Sequence, residues 1–448
     1  MSFPAYLAYQ DSGISWIGPV PAGWSVKRLR FLAQVQTGIA KGKDVQGIET
    51  IRVPYLRVAN VQDGFIDIDD VSEIEIAASD LGRYLLRPGD VLMNEGGDFD
   101  KLGRGQVWNS AIDPCIHQNH VFAVRPHGIE PEWLALVTSA DCGRFFFMTR
   151  AKQSTNLASI SSTNLLELPV PCPPPAERRA IMRFLDRETG KIDALVAEQE
   201  RLIALLKEKR QAVISQAVTK GLDASAPMKE SGVAWLGQVP AHWEIVPSTW
   251  LFAEGRERAH ADDQQLSATQ KYGVIPQAEF ELLEGRQVTH ALMHLDQRKH
   301  VEVDNFVISM RSFEGGIERV RNRGCVRSSY ITLIASKKAK PSYFSYVFKS
   351  KPYIQGLQTT ANFIRDGQDL NYGNFRQVPL PLPPGDEQEN IAALLIFETN
   401  RADALIVEAH RAIALLRERR AALISAAVTG KIDVRGLAAV PQKNAAAA

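Results

Sequence analysis

The chain carries one long module twice, and any fold it adopts must build the same scaffold two times. Ser12-Gly13-Ile14-Ser15-Trp16-Ile17-Gly18-Pro19-Val20-Pro21-Ala22-Gly23-Trp24 returns as Ser231-Gly232-Val233-Ala234-Trp235-Leu236-Gly237-Gln238-Val239-Pro240-Ala241-His242-Trp243, displaced by 219 residues. Residues 188–219 recur as 398–429, displaced by 210, with 19 of 32 positions identical. Solenoid repeats run at roughly 20–50 residues, so a period this long means two copies of a whole module. The 210 register extends backwards: Leu168-Pro169-Val170-Pro171 matches Val378-Pro379-Leu380-Pro381, Pro131 matches Pro341, and Cys115 with His120 matches Cys325 with Tyr330. The nine-residue difference therefore falls between Trp24 and Cys115.

Each copy has the same order of parts. After the Trp-Gly-Val-Pro-Trp element come short runs rich in β-branched residues, at 51–61, 90–93 and 115–124 in the first copy and 301–310 and 330–335 in the second, which read as strands with Gly and Asp at the turns. Residues 131–150 and 341–357 open with Pro at a first helical position and read as helices. Prolines then alternate along 168–175 and 378–384, forcing extended chain because the ring fixes φ and excludes the preceding residue from helix. A long helix follows each. In the first, Ile192, Leu195, Leu202, Leu206 and Val213 form a heptad-like seam; in the second, Leu405, Ile413, Leu416 and Leu423 do the same. About 40 residues at 1.5 Å each gives ~60 Å, longer than a domain is wide.

An apolar stripe needs a partner, and the other copy supplies one. Antiparallel packing of the two helices would relate the copies by a pseudo-twofold axis. The first helix runs through Lys220-Gly221-Leu222-Asp223 into the second Trp element, whereas Gly430-Lys431-Ile432-Asp433 has no such element after it. The missing continuation is the N-terminal element, so a cyclic arrangement with neighbouring termini is expected. The fold class is α+β, with two strand-rich domains separated by two long antiparallel coiled-coil helices. The divisions are 1–175 first domain, 176–220 first helix, 221–385 second domain, 386–430 second helix and 431–448 tail.

Composition limits the function classes. With 45% hydrophobic and 23% charged residues the 448-residue chain is ordinary globular material. No apolar run approaches the ~20 residues that span a bilayer, and residues 1–15 lack the pattern of a signal peptide. Cys115, Cys142, Cys172 and Cys325 are scattered, with no CxxC and no His cluster at zinc spacing, so neither disulfides nor a metal is expected and a cytoplasmic location fits. A net charge of +1 is silent on nucleic acid.

The residues resemble the specificity subunits of type I DNA restriction-modification systems. The resemblance rests on Trp16-Ile17-Gly18-Pro19-Val20-Pro21 with Trp24, on Arg87-Pro88-Gly89-Asp90-Val91-Leu92-Met93-Asn94-Glu95-Gly96-Gly97-Asp98 followed by Lys101-Leu102-Gly103-Arg104-Gly105, on Cys115-Ile116-His117-Gln118-Asn119-His120, and on the proline-rich segment before each long helix. It runs from about Tyr9 to Arg435, and the second copy departs from the first between Arg256 and Arg323. It implies a non-catalytic reader of double-stranded DNA with two target-recognition domains, each reading one half of a bipartite target. Two methyltransferase subunits and motor-nuclease subunits would be its partners, directing adenine methylation or restriction. Those partners would use S-adenosylmethionine, ATP and magnesium; the chain itself would carry no cofactor and no catalytic residue. In keeping with this, it has no phosphate-binding glycine loop and no Asn or Asp before a Pro-Pro-aromatic run.

Base-reading candidates are polar side chains beside glycines or at a strand edge: Lys101, Arg104, Gln118 and Asn119 in the first domain, with Gly96-Gly97 read either as a close-approach segment or as a turn. In the second domain Arg311, Arg319, Arg321, Arg323 and Arg327 crowd into seventeen residues, with Glu314 and Glu318 as the local acids, and suit phosphate. Arg365 and Gln368 are further candidates. Lys152, Gln153 and Ser154 read as solvated loop, while Arg201, Lys209, Arg411 and Arg419 face either a partner or water. The alternative is a duplicated coiled-coil protein-interaction scaffold with no DNA binding.

Overall fold

The computed structural model describes residues 3–42, 47–97, 102–103, 105–153, 158–285, 287, 297–309, 312, 316–360 and 371–437. The chain divides into two compact units, one of residues 1–199 with 411–448 and the other of residues 200–410. The two long helices, Pro175–Lys220 and Gly385–Val428, each contribute one half to each unit.

In the first unit an antiparallel sheet runs in the order Ala33–Thr37, Val121–Pro126, Val91–Asn94, Gly105–Val107. A second sheet places Ile116–His117 parallel to Thr50–Leu56, which pairs antiparallel with Ser72–Ala77. The run expected as one strand over 115–124 is therefore two, broken at Gln118–His120. Behind the first sheet, Trp24, Trp133, Phe146 and Phe147 share a core with Ile181, Phe184 and Leu185 of the first long helix and Leu423, Ile424 and Val428 of the second. The segment expected as a helix over 131–150 is two helices, Pro131–Ser139 and Asp141–Arg150, hinged at the extended Ala140. A Cβ on Gly143 would lie 2.4 Å from the Val137 carbonyl, so the two helices meet where only glycine fits.

The second unit repeats this plan. Its sheet runs Phe252–Gly255, Ile331–Ala335, Phe306–Ile308, Glu318–Arg319, and its core joins Trp243, Tyr343 and Phe348 to Ile214 and Val218 of the first long helix and Ile391 and Leu395 of the second. The helix expected over 341–357 is again two, Pro341–Val347 and Lys351–Gln358, because Ser350 caps the second and Pro352 stands in its first turn.

The Trp-Gly-Val-Pro-Trp element explains itself in both units. Ile17, Val20 and Trp24 are buried, as are Leu236, Val239 and Trp243. The Trp24 indole donates to Glu177 Oε1 at 3.0 Å and the Trp243 indole donates to Glu387 Oε1 at 3.0 Å, so each element is tied to the first turn of a long helix. The proline runs form strands: Pro169–Cys172 pairs with Ser25–Arg28, and Leu380–Leu382 with Glu244–Val246. Proline is tolerated because each strand lies at the edge of a two-stranded pair.

The cyclic expectation holds within the first unit. Asp433 N–H donates to the Pro4 carbonyl at 2.7 Å, Tyr9 OH donates to the Gly430 carbonyl at 3.1 Å, and the Arg435 guanidinium lies over the Tyr6 ring. Helix pairing is also seen within each unit: Arg420 meets Asp193 at 2.8 Å in the first, and Arg210 meets Asp403 at 3.4 Å in the second. Of the seam residues, Ile192, Ile413 and Leu423 are buried and Leu206, Val213 and Leu416 half-buried, but Leu195, Leu202 and Leu405 are exposed. The buried line takes in Ile203 and Ile214, which widen the stripe in the sequence, and continues through Ala217 and Val218, since a straight helix drifts off a strict seven-residue repeat. Arg201, Lys209, Arg411 and Arg419 are exposed.

Candidate nucleic-acid interface

In the first unit, Gln118 and Asn119 sit on a short connection pinned from both sides. Gln118 N–H donates to the Leu56 carbonyl and Asn119 N–H to the Ile39 carbonyl, at 2.9 and 3.1 Å. Gly38 lets this connection close up, since a Cβ there would lie 2.1 Å from the His117 carbonyl. His117 is wholly buried beneath it, with Nδ1 2.7 Å from the Val121 carbonyl, and burial pushes its pKa down to about 4. The ring is therefore neutral at physiological pH and donates to that carbonyl. Gln118 and Asn119 are half-buried and His120 exposed. The Gln118 side-chain Oε1 accepts from Val58 N–H at 3.4 Å, while His120 Nδ1 lies 3.2 Å from Glu95 Oε2.

The nearby glycines make room mainly for protein. Gly96–Gly97 is a strand paired with Ala158–Ser159, not a turn. Cβ atoms on Gly103 and Gly105 would strike the Phe147 ring and the Leu92 carbonyl. Gly97, with φ of +143°, has open space where its Cβ would be. Lys101, Arg104, Ser154, Arg311, Arg365 and Gln368 lie outside the described residues. Arg57, which no polar or glycine-rich sequence signal marks within its strand-like run, stands one residue before Val58 and pairs with Asp70 at 3.1 Å.

In the second unit the arginines separate into two kinds. Arg319 holds Asp304 Oδ1 at 2.6 and 2.8 Å. Arg323 reaches Asp262 at 2.9 Å and Glu302 at 3.3 Å. These acids come from elsewhere in the sequence, so counting Glu314 and Glu318 alone overstated how free the cluster is. Arg321 and Arg327 are exposed. Glu318 is buried against Lys349, and burial pushes its carboxyl up to about 7 despite that partner. Burial pushes the Cys115 thiol up to about 12 and the Cys142 thiol to about 11, which disfavours the thiolate at both. Glu257, His260 and His300, which no zinc-like spacing links in the sequence, bring donor atoms within 4.8 Å of one another.

What the arrangement offers is amide and guanidinium side chains on rigidly held connections, the groups that pair with base edges and phosphates. No family model matches the chain. It is 25% identical over 393 residues to a protein of Methanocaldococcus jannaschii described as a type I restriction enzyme MjaX specificity subunit, covering 85% of this chain and 87% of that one. It is 23% identical over 208 residues to the type I restriction enzyme EcoKI specificity subunit of Escherichia coli, covering 44% and 43%. A solved structure from work on complex assembly and conformational transition of the type I R-M system superposes with a TM-score of 0.65 at 16% identity, covering 91% of this chain and 98% of that one.

Proposed function

We propose, since the chain is related along most of its length to type I specificity subunits, that it is the non-catalytic DNA-reading subunit of such a complex. Residues 1–175 and 221–385 are the two recognition domains, each reading one half of a split target. The two long helices fix the gap between half-sites, so the length of the intervening DNA matters while its sequence does not. Two methyltransferase subunits seat on the protein and flip the target adenine, and motor-nuclease subunits join for cleavage. S-adenosylmethionine, ATP and magnesium belong to those partners. The observation that carries this reading is the duplication itself: one fold plan built twice, each copy closed by halves of the same two helices.

Gln118 and Asn119 have the amide chemistry to pair bidentately with adenine N6 and N7, while Arg321, Arg327 and Arg57 suit phosphates. Lys101, Arg104, Arg311, Arg365 and Gln368 are candidates of the same kind, and Arg57, Arg319 and Arg323 reach DNA only by leaving their carboxylates. Replacing Gln118 and Asn119 together by alanine is expected to lower methylation at targets carrying the first domain's half-site by about tenfold or more, from ~1–3 kcal/mol per bidentate pair. Methylation dependence on the other half-site stays unchanged.

The test is to combine the chain with a methyltransferase partner and labelled S-adenosylmethionine, and map the adenines modified in a random DNA library. A split motif with a fixed gap supports the reading. Binding should also weaken with salt, with a slope near −0.9 in log–log form for each phosphate neutralised. No modified site and no salt-sensitive binding would turn the assignment to a protein scaffold.

A further inference from the structure

The geometry points to a proton-operated latch in the second unit: His300, held between two carboxylates and covered by His260, fastens residues 256–265 to the strand Lys299–Val301. His300 is buried. Its Nδ1 lies 2.8 and 3.0 Å from the two oxygens of Asp263, whose side chain is also buried, and its Nε2 lies 3.1 Å from Glu302 Oε1. Ionised carboxylates only accept, so each ring nitrogen must carry a hydrogen and the ring is an imidazolium. His260 stacks on it with centroids 4.2 Å apart and planes 8° from parallel. Its Nε2 faces Glu257 at 2.9 Å and its Nδ1 faces Arg323 Nη2 at 3.3 Å. A guanidinium cannot accept, so His260 accepts through Nδ1, donates through Nε2 and is neutral. The stacked pair thus holds a single positive charge, on the lower ring.

The charges around His300 come from every segment packed there. Glu257, Asp262 and Asp263 lie on 256–265, and Glu302 and Arg298 flank its own strand. Arg323 precedes the strand Gly324–Val326, in which Cys325 is paired with His300. Backbone bonds zip the segment to the strand, Ala259 N–H to Arg298 O and His300 N–H to Glu257 O, each 3.0 Å. The same atoms do not frame a cation: a metal lies in the plane of an imidazole that binds it, and two parallel stacked rings share no such point. Arg323 already fills the acidic cleft.

Burial alone draws the His300 proton off, but the hydrogen bonds the ring donates to Asp263 and Glu302 and the fields of Asp263 and Glu257 outweigh it and leave the pKa raised. The latch therefore contributes fully below the ordinary histidine value and is lost as pH rises through the raised folded value. On deprotonation one ring nitrogen loses its hydrogen, and the more exposed Glu302 is the partner released.

Amide hydrogen exchange of residues 256–265 in the full chain tests this, at pH 6 and pH 8.5 with the intrinsic rate corrected for. Protection is expected to fall several-fold at the higher pH, and His300→Gln to show low protection at both. Should His300→Gln not fold, Glu302→Gln keeps the question open to measurement and should move the loss to lower pH. An unchanged pH dependence in either variant overturns the latch. So does zinc restoring protection at pH 8.5 in the native chain but not in His260→Ala, which would make the cluster a cation site.

Discussion

Replacing Trp243 by alanine is expected to remove about 3–5 kcal/mol from the stability of the second unit, the range for truncating a buried tryptophan. The ring is wholly buried among Val218, Val239 and Val246, and a Cβ on Gly221 would lie 3.3 Å from it, so the neighbours have little freedom to collapse into the space. The substitution also strips Glu387 of its indole donor while leaving the His242 contact at 2.7 Å. Urea unfolding followed by exchange-labelled peptides from each unit is the measurement, since a chain of two units is not a single two-state system. The midpoint for peptides of 230–400 should fall. A loss under ~1 kcal/mol would mean the Trp element is peripheral to the fold.

Asp90→Ala is expected to cost about 3 kcal/mol in the first unit, the lower end for breaking a buried ion pair because Arg125 keeps 28% of its side chain exposed. Asp90 holds Arg125 through two bonds, of 2.8 and 2.7 Å, and also accepts from Arg87 N–H at 2.8 Å. That last bond belongs to a turn whose chemistry is plain: Asp90 N–H returns to the Arg87 carbonyl, Pro88 sets the first φ, and Gly89 takes φ of +89°. Asp90→Asn retains the turn acceptor and should lose less. Thermal unfolding of the three proteins side by side decides it, and equal losses for the two variants would assign the whole effect to the ion pair.

This turn also shows where the sequence stops being legible. The second copy has the same turn at Glu302-Val303-Asp304-Asn305, with Asp304 at φ of +73° in place of glycine and Asn305 bonding Glu302 N–H. No alignment of side chains relates Arg-Pro-Gly-Asp to Glu-Val-Asp-Asn; the backbone requirement is shared and the residues meeting it are not. The displacement between copies is 219 at Val35 and Glu254, 215 at this turn, and 209 where Val124 and Leu333 occupy matching positions in the central strand. The flanking matches His120 with Tyr330 and Pro131 with Pro341 both stand at 210, so an alignment carried between them puts this strand one residue out of register and each side chain on the opposite face. The helices, the Trp element and the proline strands were readable because their signals are local or long. The pairing of Arg319 with Asp304, and of Arg323 with Asp262 and Glu302, was not, because carboxylates distant in sequence arrive only through the fold. The same holds for His260 and His300, forty residues apart, whose stacking no spacing rule foretells.

The closure of the first unit by Leu423, Ile424, Val428 and Val434 sets an order of events during synthesis. The hydrophobic core of the second unit is drawn from residues within 200–410, so that core can consolidate while later residues are still being made. The first unit, begun two hundred residues earlier, must wait with the core around Trp24, Ile181 and Phe184 incomplete until residues 411–437 have emerged. At roughly 5–20 residues per second that interval is ten seconds or more, during which the earlier-made half is the one in need of protection from aggregation.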